Sequence, residues 1–215
     1  MNKIRFAVID DSYDEAGDII YILNNYADKY DISFRLYVPN TNEDLSSILK
    51  EVESLQYNGI IIDQRLGEYS HITSGGIEIA QKVRNIDKAL PIFILTKYIG
   101  DESLISLGFS IDDAIEKNQI IEHPEAFLGR LMRSAGRYIA HNKNISDEMN
   151  KLIEYSYSRE LTEEENKRLI EIKMTFTPYS VIEGAINQES EIDKSIDAKM
   201  DAAIELLNRI QNGNK

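Results

Sequence analysis

At 215 residues the chain is long enough for one domain with an extension or two small ones, and such a domain buries about 70% of its unfolded surface without help from a metal or disulfide. It has no cysteine, which excludes disulfides, thiol catalysis, iron–sulfur clusters and Cys-ligated zinc. Lys and Arg number 24 against 37 Asp and Glu; the formal net charge of −13 repels phosphate backbones and anionic lipid, which argues against non-specific nucleic-acid or membrane binding. The opening MNKIRFAVIDD is short, apolar and ends in acids, so it reads as a first strand rather than a signal peptide. Ile4 to Ile9 suits a strand buried on both faces. Asp14 to Tyr30 follows with a helical period at Ile19, Ile20, Leu23, Tyr26, Ala27 and Tyr30, behind an acidic first turn. Ile32 to Val38 alternates as a strand and stops at Pro39, and Thr41 is placed to cap a helix over Glu43 to Leu55.

Gly59-Ile60-Ile61-Ile62-Asp63 is another buried-strand run ending in an acid, and Gly75-Gly76 precede a helix with Ile77, Ile79, Ala80 and Val83. Pro91 opens Ile92-Phe93-Ile94-Leu95, which ends in Thr96-Lys97. A weaker strand, Asp112 to Glu116, runs into Lys117, and Pro124 sits in the first turn of a helix reaching roughly Asn142. Strands alternating with helices predict a parallel sheet with helices on both faces over residues 1–143. Residues 144–215 carry no strand-like run and predict an all-α extension. Ser146 is placed to start a helix up to about Tyr157, Thr162 to Glu165 is a capping box, and Pro178 begins a short segment up to Asn187. Ser190 heads a last helix, whose stripe from Ile196 to Ile210 suits packing on its own domain or a dimer seam. This part holds 9 basic and 15 acidic residues, net −6. No apolar run approaches the roughly 20 residues that cross a bilayer, and a reducing, cytoplasmic setting is expected.

The chemistry gathers at strand ends. In an open parallel sheet, functional groups collect at the carboxyl ends of the strands, and here those ends carry Asp10-Asp11, Asp63, Thr96 and Lys117. Three converging carboxylates repel one another and call for a cation; a hard divalent ion such as Mg²⁺ suits oxygen ligands. Lys117 supplies a fixed positive charge and Thr96 a hydroxyl donor, which makes a site for an anion held against a metal. Asp63 is placed to be a nucleophile towards phosphorus. The three histidines, His71, His123 and His141, match no zinc-helix spacing.

Residues 1–143 resemble the receiver domain of two-component response regulators. The residues that carry the resemblance are the acidic pair in AVIDDS, Asp63 in GIIIDQRL, Thr96 in IFILTK, Lys117 in DDAIEK and the helix GGIEIAQKVR. The resemblance implies a five-stranded, doubly wound, flavodoxin-like sheet. It also implies that Asp10, Asp11, Asp63 and the backbone carbonyl of Arg65 hold Mg²⁺. Asp63 would then accept a phosphoryl group from a histidine kinase or phosphotransfer protein, and Lys117 and Thr96 would bind the phosphoryl oxygens. The sequence departs from the family pattern at four places. Asn118 replaces the Pro after the Lys, Gly67 the Pro after Asp-x-x-Leu, Lys97 the small residue after the Thr, and Ala114 the switch aromatic. The loop from Asp63 to Gly76 is also longer than usual. The catalytic set is intact while the output side is rewritten, and the net charge of residues 144–215 points to a protein target rather than DNA. A scaffold that keeps the fold without phosphorylation is the alternative; a phosphatase of the haloacid-dehalogenase type would want Asp-x-Asp where the chain has Asp10-Asp11-Ser12.

Overall fold

The computed structural model describes residues 3–54, 57–97 and 111–176. Contacts divide the chain into two compact units, Met1–His141 and Asn142–Lys215. The first contains strands β1 (Ile4–Ile9), β2 (Ile32–Tyr37), β3 (Gly59–Asp63), β4 (Ile92–Thr96) and β5 (Asp113–Glu116). Its helices among the described residues are α1 (Tyr13–Ala27), α2 (Asn42–Ser54), α3 (Gly76–Ile86) and the short α4 (Lys117–Glu122). A 3-10 turn, Asp28–Tyr30, closes α1. Helix α5 (Pro124–Ser158) contributes its residues through His141 to this unit and the rest to the second, which also holds α6 (Glu163–Phe176).

The five strands form one sheet in the order β2-β1-β3-β4-β5, every pair parallel. This is the α/β sheet expected from the strand-helix alternation. Residue parity sorts the side chains onto the two faces. Ala7, Ile9, Ile60, Ile62, Ile92 and Ile94 pack with Leu45 and Val52 of α2 and with Ile79, Ala80 and Val83 of α3. Phe6, Val8, Ile61, Phe93 and Leu95 pack on the other face with Ile19 and Leu23 of α1, Ile120 of α4 and Phe127, Leu128 and Leu131 of α5. Both faces being covered explains why β1, β3 and β4 read as unbroken apolar runs. Each fully buried Ile, Leu or Phe in these layers contributes roughly 1.5–3 kcal/mol to folding.

The chain reverses its direction of travel across the sheet between β1, which leads to β2 on one side, and β3 on the other. A crevice therefore opens beyond the carboxyl ends of these two strands, the usual location of a site in such a sheet. Asp10 follows β1 directly and Asp63 is the last residue of β3.

The weak strand does run into Lys117, which opens α4 with Asn118 as its second residue. One expectation about helices needs correction. Ser146 starts nothing; α5 is continuous from Pro124 to Ser158. The apolar and half-buried positions Leu131, Ala135, Tyr138, Asn142, Ile145, Met149 and Leu152 keep helical spacing through the expected break. With no Gly or Pro from Arg137 to Ser158, nothing stops the helix there. Thr162 does cap α6: its Oγ1 accepts from Glu165 N at 3.2 Å, and Glu165 Oε2 accepts from Thr162 N at 2.9 Å. Among the described residues of the second unit, Leu152, Leu169 and Ile172 form a small buried cluster. The segment from Pro178 and the stripe Ile196 to Ile210 lie outside the described residues.

Helix α3 begins against the backbone of β3. A Cβ on Gly76 would lie 2.0 Å from the carbonyl oxygen of Asp63, whereas one on Gly75 would lie 3.7 Å from that of Gln64. Although Ala is the better helix former, Gly76→Ala is expected to destabilise the protein by about 1–3 kcal/mol. Gly75→Ala is expected to stay within about 0.5 kcal/mol of the parent. Urea unfolding of the two variants checks this, and equal midpoints would refute the close approach at the end of β3.

Candidate functional site

The acidic pair stands where β1 gives way to α1. Ser12 caps that helix, its Oγ accepting from Glu15 N at 3.2 Å, while Ser12 N donates to Asp10 Oδ1 at 2.8 Å. The turn fixes Asp10 facing inward, buried beside the last residue of β3. On that strand Asp63 Oδ2 accepts from Arg65 N at 2.7 Å. Asp10, Asp11 and Asp63 are all buried, and one oxygen of each lies within 4.8 Å of the others. Ligand oxygens on a single octahedral Mg²⁺ are at most roughly 4.2 Å apart, so a small closure around an ion brings the three within range.

Lys117 reaches across from α4 into this cluster. Its Nζ lies 2.8 Å from Asp63 Oδ1, 3.1 Å from Asp10 Oδ2 and 2.9 Å from Glu15 Oε2. Burial alone would push the ammonium pKa down, but the hydrogen bond to Asp63, its charge and that of Asp10 more than offset this, and the net shift is upward. Asp10 is pushed up to about 6, first by burial and then by repulsion from Asp63, with Lys117 opposing. The repulsion anticipated from converging carboxylates is thus present at Asp10, although burial is the larger cause. Thr96, the last residue of β4, is buried and lines the same cleft.

Asp11 has different partners. Its Oδ2 accepts from Gly67 N at 2.9 Å, Tyr69 N at 2.8 Å and Ser70 Oγ at 3.1 Å. The long loop after β3 therefore folds onto a site acid, and Leu66 and Ile72 anchor it in the core. Gly67 adopts a φ of +101°, and a Cβ there would meet the Ile72 carbonyl oxygen at 2.4 Å. This accounts for Gly in place of Pro: the position needs both a left-handed backbone and an N–H to give to Asp11. The side chain of Arg65 is exposed, and its carbonyl oxygen, the fourth expected metal ligand, accepts from Glu68 N at 3.3 Å. Ala114 packs half-buried against the core, and His71 is exposed, its backbone N donating to Asn40 O at 2.9 Å.

Sequence reasoning missed Glu15, which stood out only as an acid in the first turn of a helix. Its Oε1 lies 3.0 Å from Lys97 Nζ and accepts from the Tyr69 hydroxyl at 3.4 Å, while its Oε2 holds Lys117. The hydrogen bond to Lys117 lowers the pKa of Glu15; burial opposes and Lys97 assists. A helix register in which Glu15 faces the strand ends is visible in Ala16 and Ile19 pointing inward; the reach of Lys97 is not.

No family model and no curated protein sequence matches the chain. Solved structures do match. The signal receiver domain of an HD domain-containing protein from Pseudomonas fluorescens Pf-5 superimposes with a TM-score of 0.52 and 11% identity, covering 66% of this chain and 94% of that one. An adenylate cyclase structure from Rhodopirellula baltica gives 0.49 at 15% identity, over 68% and 98% of the two chains. The Thermotoga maritima response regulator in complex with Mg²⁺ and BeF gives 0.44 at 20% identity, over 59% and 97%. The sheet domain shares the fold of the first of these, a signal receiver domain. Such low identities establish the fold alone.

The raised pKa of Asp10 has a testable sign. The folded protein binds this proton more tightly than the unfolded chain, so stability is lost as pH rises from about 4 through about 6. In metal-free buffer at pH 7, Asp10→Asn is expected to raise Tm by about 2–6 °C, with the gain shrinking as pH falls through that window. Added Mg²⁺ is expected to stabilise the parent and not the variant. Thermal melts at several pH values check both; a variant less stable than the parent at pH 7 would contradict the burial penalty.

Proposed function

We propose that the protein is a signalling receiver that accepts a phosphoryl group on Asp63 from a phosphohistidine of a histidine kinase or phosphotransfer protein. The observation that carries this reading is the grouping of Asp10, Asp11 and Asp63 around one point, with Lys117 Nζ 2.8 Å from Asp63, at the carboxyl edge of a parallel sheet. An Asp63 oxygen attacks phosphorus, the P–N bond breaks as the P–O bond forms, and the imidazole departs with the electron pair and takes up a proton. Lys117 neutralises charge on the phosphoryl oxygens and Thr96 offers them a hydroxyl hydrogen. Asp10 and Asp11 orient the cluster, and with Asp63 and the Arg65 carbonyl they would hold Mg²⁺. A bound divalent cation would supply neutralisation of the charge that builds between carboxylate and phosphoryl group.

On this reading the protein is a phosphoryl acceptor rather than an enzyme turning over a substrate, apart from hydrolysis of its own acyl phosphate. Its output is directed at a protein through residues 144–215, whose net charge of −6 disfavours nucleic acid. No helix among the described residues is long and apolar enough to cross a membrane, consistent with the cytoplasmic setting proposed for such a relay. A second reading has its own support: Lys117 already compensates Asp10 and Asp63, and Asp11 is satisfied by the loop, so the cluster is stable as a scaffold without a ligand.

Beryllofluoride, which mimics the phosphoryl group on a carboxylate, separates the two. With Mg²⁺ at saturating concentration it is expected to raise the Tm of the parent by about 5–10 °C and leave Asp63→Asn unchanged. No stabilisation of the parent would favour the scaffold.

A further inference from the structure

We propose that Glu15 is a positioning residue that acts as a built-in counter-anion, holding Lys97 and Lys117 over the cleft until a phosphoryl group displaces it. This rests on the phosphoacceptor reading above and adds a control on it. Three observations converge. One carboxylate bridges two ammonium groups from different strand ends, Lys97 Nζ at 3.0 Å and Lys117 Nζ at 2.9 Å. The Tyr69 hydroxyl donates to the same oxygen that Lys97 contacts, so the loop also holds the bridge. The bridge lines one cleft with Asp10, Asp63 and Thr96. A phosphoryl group on Asp63 therefore meets the bridging side chains and has to exchange partners with them.

The charges give the opening a direction. Glu15 is half-buried, with a third of its side chain accessible, whereas Asp10 and Asp63 are buried and pinned by backbone N–H groups. Of the carboxylates on Lys117, Glu15 is the one that can swing away to solvent. A dianionic phosphoryl group in the cleft repels Glu15 and offers both lysines more charge than one carboxylate does. Lys97, which stands where a small residue would leave the pocket open, thereby becomes a second cation on the phosphoryl oxygens. Glu15 competes with those oxygens for Lys97 and so sets how tightly the phosphorylated state is held.

The test is a titration of beryllofluoride in saturating Mg²⁺ on the full chain. Glu15→Gln keeps the shape and removes the charge, and is expected to bind roughly tenfold tighter than the parent, as is Glu15→Ala. Lys97→Met in the Glu15→Gln background is expected to return most of that gain, because the freed cation is gone. A purely structural role for Glu15 predicts weaker binding in its variants and no dependence on Lys97. Equal or weaker binding by both Glu15 variants would overturn the proposal, as would a gain indifferent to Lys97. Binding by none of the proteins, parent included, would remove the phosphoacceptor reading and this control with it.

Discussion

A single ammonium group placed among carboxylates organises this molecule. Lys117 sits at the mouth of the crevice between β1 and β3, where the parallel sheet brings Asp10 and Asp63 together, and Glu15 joins from the first turn of α1. Burial, and after it the charge of Asp63, makes Asp10 resist ionisation, and Lys117 offsets part of that. The sheet needs that cation to close over its own functional edge. Its cost is that the cation is committed before any ligand arrives, so ligand binding has to exchange partners rather than fill an open site.

The rest of the site follows from how the chain reaches that edge. The β3-α3 loop runs across it, and three donors from the loop converge on Asp11. Gly67 permits the left-handed turn this demands, and Gly76 lets α3 begin against the Asp63 carbonyl. Three of the departures from the receiver pattern, the longer loop, Gly67 and Lys97, are thereby linked. A longer loop needs a glycine with an N–H at position 67, its Tyr69 meets Glu15, and Glu15 in turn is met by Lys97. The cover over the cleft is one connected set of polar contacts built from residues that looked like separate substitutions.

How much of this could be read beforehand depended on whether a signal was local. Unbroken runs such as Gly59 to Asp63 and Ile92 to Thr96 specify strands buried on both faces, so the sheet and the edge carrying Asp10, Asp63, Thr96 and Lys117 were legible. The capping box at Thr162 was legible for the same reason. Ser146 misled because a polar residue is a cap only where the backbone leaves the helix, and the spacing from Tyr138 to Leu152 kept it helical. The short α4 is six residues long, too brief for periodicity to show. Glu15 and Tyr69 were out of reach, since their role depends on a crossing of loop, helix and strand end distant in sequence.

The account stands on Asp63 being a phosphoryl acceptor. The most direct measurement is the intact mass of the protein after incubation with a small phosphodonor and Mg²⁺, followed by borohydride reduction and peptide mapping. One phosphoryl group per chain, with the reduced residue at Asp63, is the predicted result. An unchanged mass, or a phosphoryl group elsewhere while Asp63 remains a free carboxylate, would contradict it.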